Sequence, residues 1–173
     1  MDPRPPGEPI AIEALDAGEH GLIRRLLVDL YLEEQPHFED HPQLTRAQAE
    51  LTVDRIPGRF QGENVVFAVR EGDGLAAFCW CVLFDPGTGL EGEVAELYVG
   101  APHRGRGIGE ALVKRAVRLF QERGVTLGYV WTRPENEGAV RLYRRSGFAP
   151  NRQLVLTWYP ATDRPPHPSR ILS

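Results

Sequence analysis

A cluster of glycines and arginines is the part of the sequence whose composition points most directly to chemistry. The stretch HRGRGIGEAL places Arg104 and Arg106 among Gly105, Gly107 and Gly109. Ordered glycine costs conformational entropy, so a dense cluster indicates a backbone geometry or a close approach that side chains would block. The stretch joins a strand-like run to a helical pattern, where main-chain N–H groups and the helix dipole form an anion site. We therefore expect phosphate to bind there.

Two common phosphate-binding patterns do not fit this stretch. The dinucleotide fingerprint requires a third glycine where the chain has Glu110, and an acid about twenty residues later, where it reads GYVWTRP. The triphosphate loop requires a lysine and then serine or threonine after its last glycine, but Gly109 is followed by Glu110 and Ala111. Binding of the phosphates of some other nucleotide remains an alternative.

A second pattern follows after one predicted helix and one predicted strand. The stretch NEGAVRLYRRSGF contains a spaced set of residues: Asn136, Ala139, Leu142, Tyr143, Gly147 and Phe148. With Arg104-x-x-Gly107-x-Gly109 after ELYV, it resembles the GNAT superfamily of N-acetyltransferases. The resemblance covers residues 93–148. It implies a single-domain α/β fold with a mixed, mostly antiparallel central sheet flanked by helices. It also implies direct attack of a primary amine on the thioester of acetyl-CoA, the cosubstrate.

The resemblance assigns coenzyme binding to residues of both motifs. Main-chain N–H groups of the glycine loop would hold the pyrophosphate, and its two arginines would add positive charge. The main chain at the end of ELYV would pair with the pantetheine arm as an added strand, and an N–H there could polarise the thioester carbonyl. The implied coenzyme-binding residues are Leu97, Tyr98, Val99, Arg104, Gly105, Arg106, Gly107, Ile108, Gly109 and Asn136.

Each of these assignments has a purely structural alternative. The loop could be a glycine-rich turn with solvated arginines, and the main chain at the end of ELYV could be paired only within the sheet. Asn136 could be a helix N-cap, a role that is compatible with coenzyme contact. No metal site is expected, because Cys79 and Cys81, two residues apart within one apolar run, suit neither a disulfide framework nor a metal site.

Two residues are candidates for proton transfer. By resemblance, Tyr143 reaches the thioester sulfur, where its hydroxyl can donate a proton or a hydrogen bond to the departing thiolate. Full transfer from a tyrosine to a thiol is uphill by about 1.5 pKa units, or about 2 kcal/mol. Glu96 lies on the face of Val94 and Tyr98 by strand alternation, and desolvation should raise its pKa and make it the base for the amine. A core Tyr143 and a structural Glu96 are the alternatives.

Apolar periodicity and turn residues predict the elements that carry these residues. PIAIEAL predicts a first strand, and NVVFAV, LAAFCWCVLF and EVAELYV predict an antiparallel meander. TLGYVWT and QLVLTWY predict two later strands. Two capping boxes and two glycine-flanked apolar patterns predict the helices. These helices cover residues 16 to about 32, 45 to 56, the end of the glycine cluster to 123, and about 136 to 145.

The composition favours one soluble, cytoplasmic domain. Apolar residues make up 42% and charged residues 25% of 173 residues, which excludes a disordered or fibrous chain. The longest apolar run has ten residues, about half of a membrane span, and MDPRPPGEP lacks the pattern of a secretory signal. Cys79 and Cys81 are expected as reduced core residues and poor nucleophiles. We expect a flexible proline-rich N-terminus over residues 1–8, the acetyltransferase domain over 9–159 and a proline-rich tail over 160–173.

Charge is divided unevenly along the chain. Residues 103–152 hold eleven Lys and Arg against four acids, a net +7 that leaves −11 for the rest. The basic part suits coenzyme phosphates, and acids such as Glu33, Glu34, Glu39 and Asp40 could attract a cationic acceptor. Aromatic residues are few among the basic ones, so we expect no nucleic-acid partner, and no membrane partner.

The function that these patterns favour is an N-acetyltransferase of the GNAT type. The alternative from another class is a non-catalytic acyl-CoA-binding or sensing module on the same fold, which would keep the phosphate loop and lose the acid and base. The presence of Tyr143 favours the enzyme. Small-molecule amines and peptide amines are both compatible with the motifs as acceptors. A homodimer is also compatible with the sequence.

Overall fold

The fold is given by a computed structural model that describes residues 10–37, 43–53, 62–87 and 89–151. The predicted strand QLVLTWY, the end of the predicted second helix and both proline-rich ends lie outside the described residues, so the domain limits remain predictions. Five strands and four α-helices are described, in the order β1 (Glu13–Ala14), α1 (Arg24–Glu34), α2 (Arg46–Thr52), β2 (Glu63–Glu71), β3 (Gly74–Phe84), β4 (Glu91–Val99), α3 (Ile108–Arg123), β5 (Leu127–Tyr129) and α4 (Glu137–Arg145).

The strands form one sheet in sequence order, β1 to β5. The first four strands pair antiparallel, and β5 pairs parallel to β4 after the α3 crossover. The antiparallel meander and the mixed α/β fold class predicted from the sequence are therefore confirmed. Residues on both faces of β3 are buried, because helices cover the sheet on both sides.

Both capping boxes predicted from the sequence are present in the structure. The Thr45 hydroxyl accepts from the Gln48 N–H at 3.4 Å, and Gln48 Oε1 accepts from the Thr45 N–H at 2.9 Å at the start of α2. Asp16 and Glu19 form the other capping box. It begins a 3₁₀ segment, Ala17–Ile23, rather than the α-helix itself, which starts only at Arg24.

Two strands are much shorter than predicted. The first has two residues and β5 has three, although PIAIEAL and TLGYVWT are each seven residues long. Strand propensity does not create a ladder without a partner, and β5 meets β4 only over residues 127–129. Within the described ranges, none of the helices has the length and hydropathy to cross a bilayer.

The two faces of the sheet carry separate cores. One core packs α3 and α4 against the sheet and includes Leu112, Phe120 and Tyr143. The other packs α1 and includes Ile23 and Phe78. The β4–α3 and β5–α4 connections both leave the sheet at the same end, beside the C-terminal end of α1. This end carries the candidate site.

Candidate functional site

The glycine cluster forms the N-terminal cap of α3. Gly105 and Gly107 adopt left-handed conformations with φ of 75° and 77°, and Gly107 is the N-cap residue. The first bond within the helix runs from the Ala111 N–H to the Gly107 carbonyl at 3.0 Å, so the N–H groups of residues 108–110 have no acceptor in the helix. Within the part of the chain that the structure describes, no side chain caps them. The loop therefore presents main-chain donors at the positive end of the helix dipole.

The three glycines of the cluster serve different purposes. Among the described residues, a Cβ at Gly105 or Gly107 would meet nothing within 4 Å, so these glycines are required by their positive φ rather than by crowding. A Cβ at Gly109 would lie 3.7 Å from Leu142 and Val99, which is ordinary contact. The protein itself thus tolerates a small side chain at position 109.

The two arginines of the loop are both exposed, and Arg104 is already engaged within the protein. Its Nε donates to the Val99 carbonyl at 2.9 Å, its guanidinium lies 5.5 Å from the ring centre of Tyr98, and it forms an ion pair with Glu33. Its main-chain N–H donates to the Ala101 carbonyl at 3.3 Å. Main-chain donors for an anion therefore begin after Arg104.

Strand β4 has one closed edge and one open edge. Toward β3, the Gly100 N–H donates to a β3 carbonyl at 2.9 Å, and bonded pairs alternate with non-bonded pairs along an antiparallel ladder. The main chain of Tyr98 is therefore bonded to β3, whereas that of Leu97 and Val99 points away from it. Toward β5, pairing covers only residues 91–93. The main chain of Leu97 and Val99 thus faces a gap between separating strands, beside the glycine loop.

A β-bulge determines which way Glu96 points. Trp80 pairs with Glu96 but the next residue, Cys81, pairs with Val94, so Ala95 is an extra residue in β4. Val94 joins the core beneath α3, whereas Glu96 shares the α1 side with Trp80. The alternation that put Glu96 on the face of Val94 is therefore wrong. The sequence cannot show this, because a bulge exists only in the pairing of two strands.

Glu96 lies in a desolvated, acidic environment. Burial, together with the nearby carboxylates of Glu93 and Glu34, raises the pKa of Glu96 to about 8. Burial also raises the pKa of Glu93. A carboxyl group that titrates near pH 8 can accept a proton efficiently close to neutral pH. The environment of Glu96 therefore suits the base that the sequence analysis expects.

Tyr143 and Asn136 occupy the same helix but different environments. Tyr143 is buried, and its ring packs edge-on against Phe148 with 5.9 Å between ring centres. Burial, with smaller contributions from Cys79 and Glu96, raises the pKa of the Tyr143 hydroxyl well above its usual value. Asn136 is the N-cap residue of α4, and its Oδ1 accepts from the Ala139 N–H at 3.2 Å. The structural roles considered for both residues are therefore present.

Two acids at the end of α1 reach the site from the opposite face of the sheet. Glu33 binds Arg104, and Glu34 forms an ion pair with Arg133 in the segment between β5 and α4. Glu34 and Arg133 also line a cavity of about 370 Å³, together with Glu135, Asn136, Glu137 and Gly138. The negative charges of Glu33 and Glu34 are thus compensated within the fold. Glu39 and Asp40 lie outside the described residues.

Arg133 is the site residue that sequence reasoning missed. It is 99 residues from Glu34, and no motif contains either of them. Cys79 and Cys81 are both buried with their Sγ atoms 3.9 Å apart, and their contact and burial raise the pKa of the Cys79 thiol. A raised thiol pKa disfavours the nucleophilic thiolate, consistent with the expected core role.

Comparisons with known proteins agree with this geometry. Residues 23–148 match the family model described as the acetyltransferase (GNAT) family. A mycothiol acetyltransferase of Nocardiopsis dassonvillei is 34% identical over 122 residues, 65% of this chain and 36% of that protein. One from Beutenbergia cavernae is 34% identical over 120 residues, 65% of this chain and 38% of that protein. The chain thus spans little more than a third of the length of these relatives.

Solved structures share the fold at low sequence identity. A ribosomal-protein-alanine N-acetyltransferase from Brucella melitensis biovar Abortus 2308 is 19% identical, with a TM-score of 0.60. The match covers 87% of this chain and 100% of that one. An aminoglycoside acetyltransferase from an uncultured soil metagenomic sample is 15% identical with a TM-score of 0.59, covering 88% of this chain and 96% of that one. These likenesses concern the fold alone.

Proposed function

Because the chain belongs to the GNAT family of acetyltransferases, we propose that it transfers an acetyl group from acetyl-CoA to a primary amine. The family match makes the chain an acyltransferase by class and confirms the resemblance carried by the two motifs. The acyl donor, the amine acceptor and the direct mechanism are our proposal. Acetyl-CoA, when bound, supplies the acetyl group as an activated thioester.

The observation that carries the proposal is the continuity of the glycine loop with the open edge of β4. The loop offers main-chain donors for an anion, and the open edge offers the main chain of Leu97 and the N–H of Val99 to an extended, amide-containing chain, since the Val99 carbonyl already accepts from Arg104. Coenzyme A combines both chemistries in one molecule, since a pyrophosphate is joined to an arm with two amides. The Cβ-free cradle at Gly105 and Gly107 leaves room for the phosphates.

Glu96 would remove the proton from the attacking amine. A lysine-like amine with a pKa near 10.4 is mostly protonated at pH 7, and its deprotonation costs about 4 to 5 kcal/mol there. Glu96 titrates near pH 8 and shares the α1 side of the sheet with Trp80, beside the gap between β4 and β5. It can take the proton directly or through one water molecule.

Tyr143 would donate a hydrogen bond to the leaving sulfur. Its raised pKa makes complete transfer of the proton to a thiolate less favourable than for an ordinary tyrosine, and it keeps the hydroxyl protonated as a donor. A main-chain N–H of the open edge would donate to the carbonyl oxygen on which negative charge develops. In the balanced reaction, the protonated amine gains the acetyl group and loses two protons: one leaves through Glu96 to solvent, and the other ends on the departing sulfur, which leaves as the free thiol of coenzyme A.

The acceptor is a small-molecule or peptide amine. The named relatives include acetyltransferases for mycothiol and aminoglycosides, and a ribosomal-protein-alanine N-acetyltransferase shares the fold, so these names do not favour one class. Glu93 and Glu135 are acidic groups near the gap and its adjoining cavity after Glu34 is compensated, and Glu96 adds a further negative charge once it is ionised, which favours a cationic amine.

Calorimetric titration of acetyl-CoA into the purified protein, with NAD and ATP as controls, tests the coenzyme. We expect binding of acetyl-CoA only. A thiol-release screen over a panel of amines then separates an enzyme from a sensing module, because only an enzyme releases coenzyme A in an amine-dependent manner. Binding without release for every amine would favour the sensing module, and preferred binding of NAD or ATP would overturn the coenzyme assignment.

A further inference from the structure

The end of α1 is attached to both connections that flank the gap between β4 and β5. Glu33 forms an ion pair with Arg104 in the β4–α3 connection, and Glu34 forms one with Arg133 in the β5–α4 connection. Adjacent residues on a helix point about 100° apart, so neighbouring carboxylates can reach two different loops. We refer to these four residues, Glu33, Glu34, Arg104 and Arg133, as the clasp.

The Glu33 half of the clasp is fixed by several contacts. One carboxylate oxygen accepts from the Tyr98 hydroxyl at 2.8 Å, and the other binds the Arg104 guanidinium. Arg104 in turn donates from Nε to the Val99 carbonyl at 2.9 Å and lies over the Tyr98 ring. Tyr98 belongs to the α1 side of the sheet, whereas α3 packs on the other side. The charge of Arg104 therefore faces α1 rather than the anion site.

The Glu34 half of the clasp is better shielded from solvent than an ordinary surface ion pair. The side chain of Glu34 is 21% exposed and that of Arg133 is 23% exposed, so solvent screens this pair less. Arg133 lies three residues before Asn136, which the family resemblance assigns to the coenzyme. Fixing Arg133 thus fixes the approach to the N-cap of α4.

We propose that Glu33 and Glu34 are positioning residues that hold the two sides of the coenzyme opening at a fixed separation. This inference rests on the proposed function. Main-chain pairing between β4 and β5 ends at residue 93, so the strands beyond it are not joined to each other by a described ladder. The clasp supplies a connection there through a rigid helix. An opening of fixed width lowers the ordering cost of binding, which would otherwise weaken affinity for the coenzyme.

The test measures affinity for coenzyme A by calorimetry and needs no acceptor. Wild type is compared with Glu33→Gln, Glu34→Gln and the double variant. We expect each single change to raise the Kd for coenzyme A about fivefold to tenfold, because a partly shielded ion pair is lost and the loop must then be ordered on binding. The double change should raise the Kd further. Arg123→Gln is the matched control, because it removes the pair with Glu63 (2.5 Å) at the far end of α3. It should leave the Kd within about twofold.

Two further variants test whether the pairing itself is responsible. Exchanging the charges in Glu34→Arg with Arg133→Glu should restore the Kd to within about threefold of wild type, whereas a direct contact of either side chain with the coenzyme would not be rescued. Tyr98→Phe removes one donor from Glu33 without removing charge, and should raise the Kd about twofold to threefold. Thermal melts confirm that each protein is folded.

The outcomes separate the two levels of inference. If wild type does not bind coenzyme A, the proposed function fails. If wild type binds and the Glu33 and Glu34 variants bind equally well while folded, the clasp is overturned and the proposed function stands. A Kd lowered by Glu33→Gln would also overturn it, because Glu33 would then be competing with the phosphates for Arg104.

Discussion

The two edges of β4 differ in what they bind. The edge facing β3 is paired from Glu91 to Val99, with a single irregularity at the bulge, whereas the edge facing β5 is paired over three residues. The paired edge holds the fold together. The open edge lies inside the molecule, between two covered faces, where main-chain groups require partners. The difference indicates that the open edge and the adjoining loop are kept for a ligand, and the following experiments test that contrast.

The largest effect is expected from Gly107→Val at the loop end of the open edge. A Cβ there meets no described protein atom within 4 Å, but a φ of 77° is strained for valine, and its side chain would project into the space where we propose that phosphates bind. We expect the Kd for coenzyme A to rise more than about 100-fold, measured by calorimetry. Gly124→Val is the control, because Gly124 has a similar φ of 69° at the far end of α3. Equal losses of affinity in both variants would mean that strain alone is responsible.

Hydrogen exchange can compare the two edges directly. The amides of Leu97 and Val99 point into the gap, whereas that of Tyr98 is bonded to β3. Coenzyme A at 100 times its Kd should slow exchange at Leu97 and Val99 by about 100-fold if it pairs there, and it should change Tyr98 much less. NMR resolves single amides for this purpose. Uniform slowing along β4 would instead indicate general stabilisation.

Tyr143→Phe removes the buried hydroxyl that we propose as the donor to the sulfur and keeps the ring packing against Phe148. We expect kcat to fall about 100-fold, because the leaving sulfur loses its hydrogen-bond donor, with little change in the Kd for coenzyme A. Steady-state kinetics with the amine found by the screen provide the measurement. Tyr31→Phe is the control, since Tyr31 is also buried but lies in a separate cluster between α1 and α2. An unchanged kcat would leave Tyr143 as a core residue.

Glu96→Gln should remove a pH-dependent limb from kcat/KM. With a pKa of about 8, Glu96 is about 10% ionised at pH 7 and about 90% at pH 9. The wild-type rate should therefore rise through pH 8, and the deficit of the variant should grow from about tenfold at pH 7 toward 100-fold at pH 9. Glu93→Gln is the comparison variant: it should keep the limb but move it to lower pH, because the Glu93 carboxylate helps to raise the pKa of Glu96. A limb that persists in Glu96→Gln would place the base elsewhere.

The carboxyl group of Glu96 should lower the free energy of unfolding over the same pH range in which its ionisation raises activity. The folded-state pKa of Glu96, about 8, lies above the ordinary value of 4.5, so the folded protein holds this proton more strongly than the unfolded chain. The free energy of unfolding then falls as pH rises from 4.5 to about 8. Glu96→Gln should melt at a higher temperature than wild type above this window and at a similar temperature below it.

The smallest effect is expected at Asn136, where capping and coenzyme contact can be separated. Asn136→Ala removes the acceptor for the Ala139 N–H and should cost about 1 kcal/mol of stability, with about a threefold loss of coenzyme affinity. Asn136→Asp keeps the acceptor oxygen but lacks the amide N–H₂ donor. It should recover the melting temperature without recovering affinity. Recovery of both would reduce Asn136 to an N-cap.

The sequence by itself determined the features that depend on neighbouring residues. Turn and capping chemistry at Thr45, Gly107 and Gly124 marks the limits of α2 and α3, and apolar runs separated by turn residues mark the meander. The glycine loop and the Asn136–Tyr143 helix carried the family resemblance, because their motifs depend on main-chain conformation and on one helix face. These local signals were sufficient for the fold class and for the family.

Only the tertiary structure decided the features that depend on which distant residues meet. The bulge at Ala95 turns Glu96 to the α1 side, and the early end of β4–β5 pairing opens the gap. The ion pair between Glu34 and Arg133 joins residues 99 positions apart. Strand register and long-range ion pairs arise from the packing of whole elements against one another, and no local pattern in the chain encodes them.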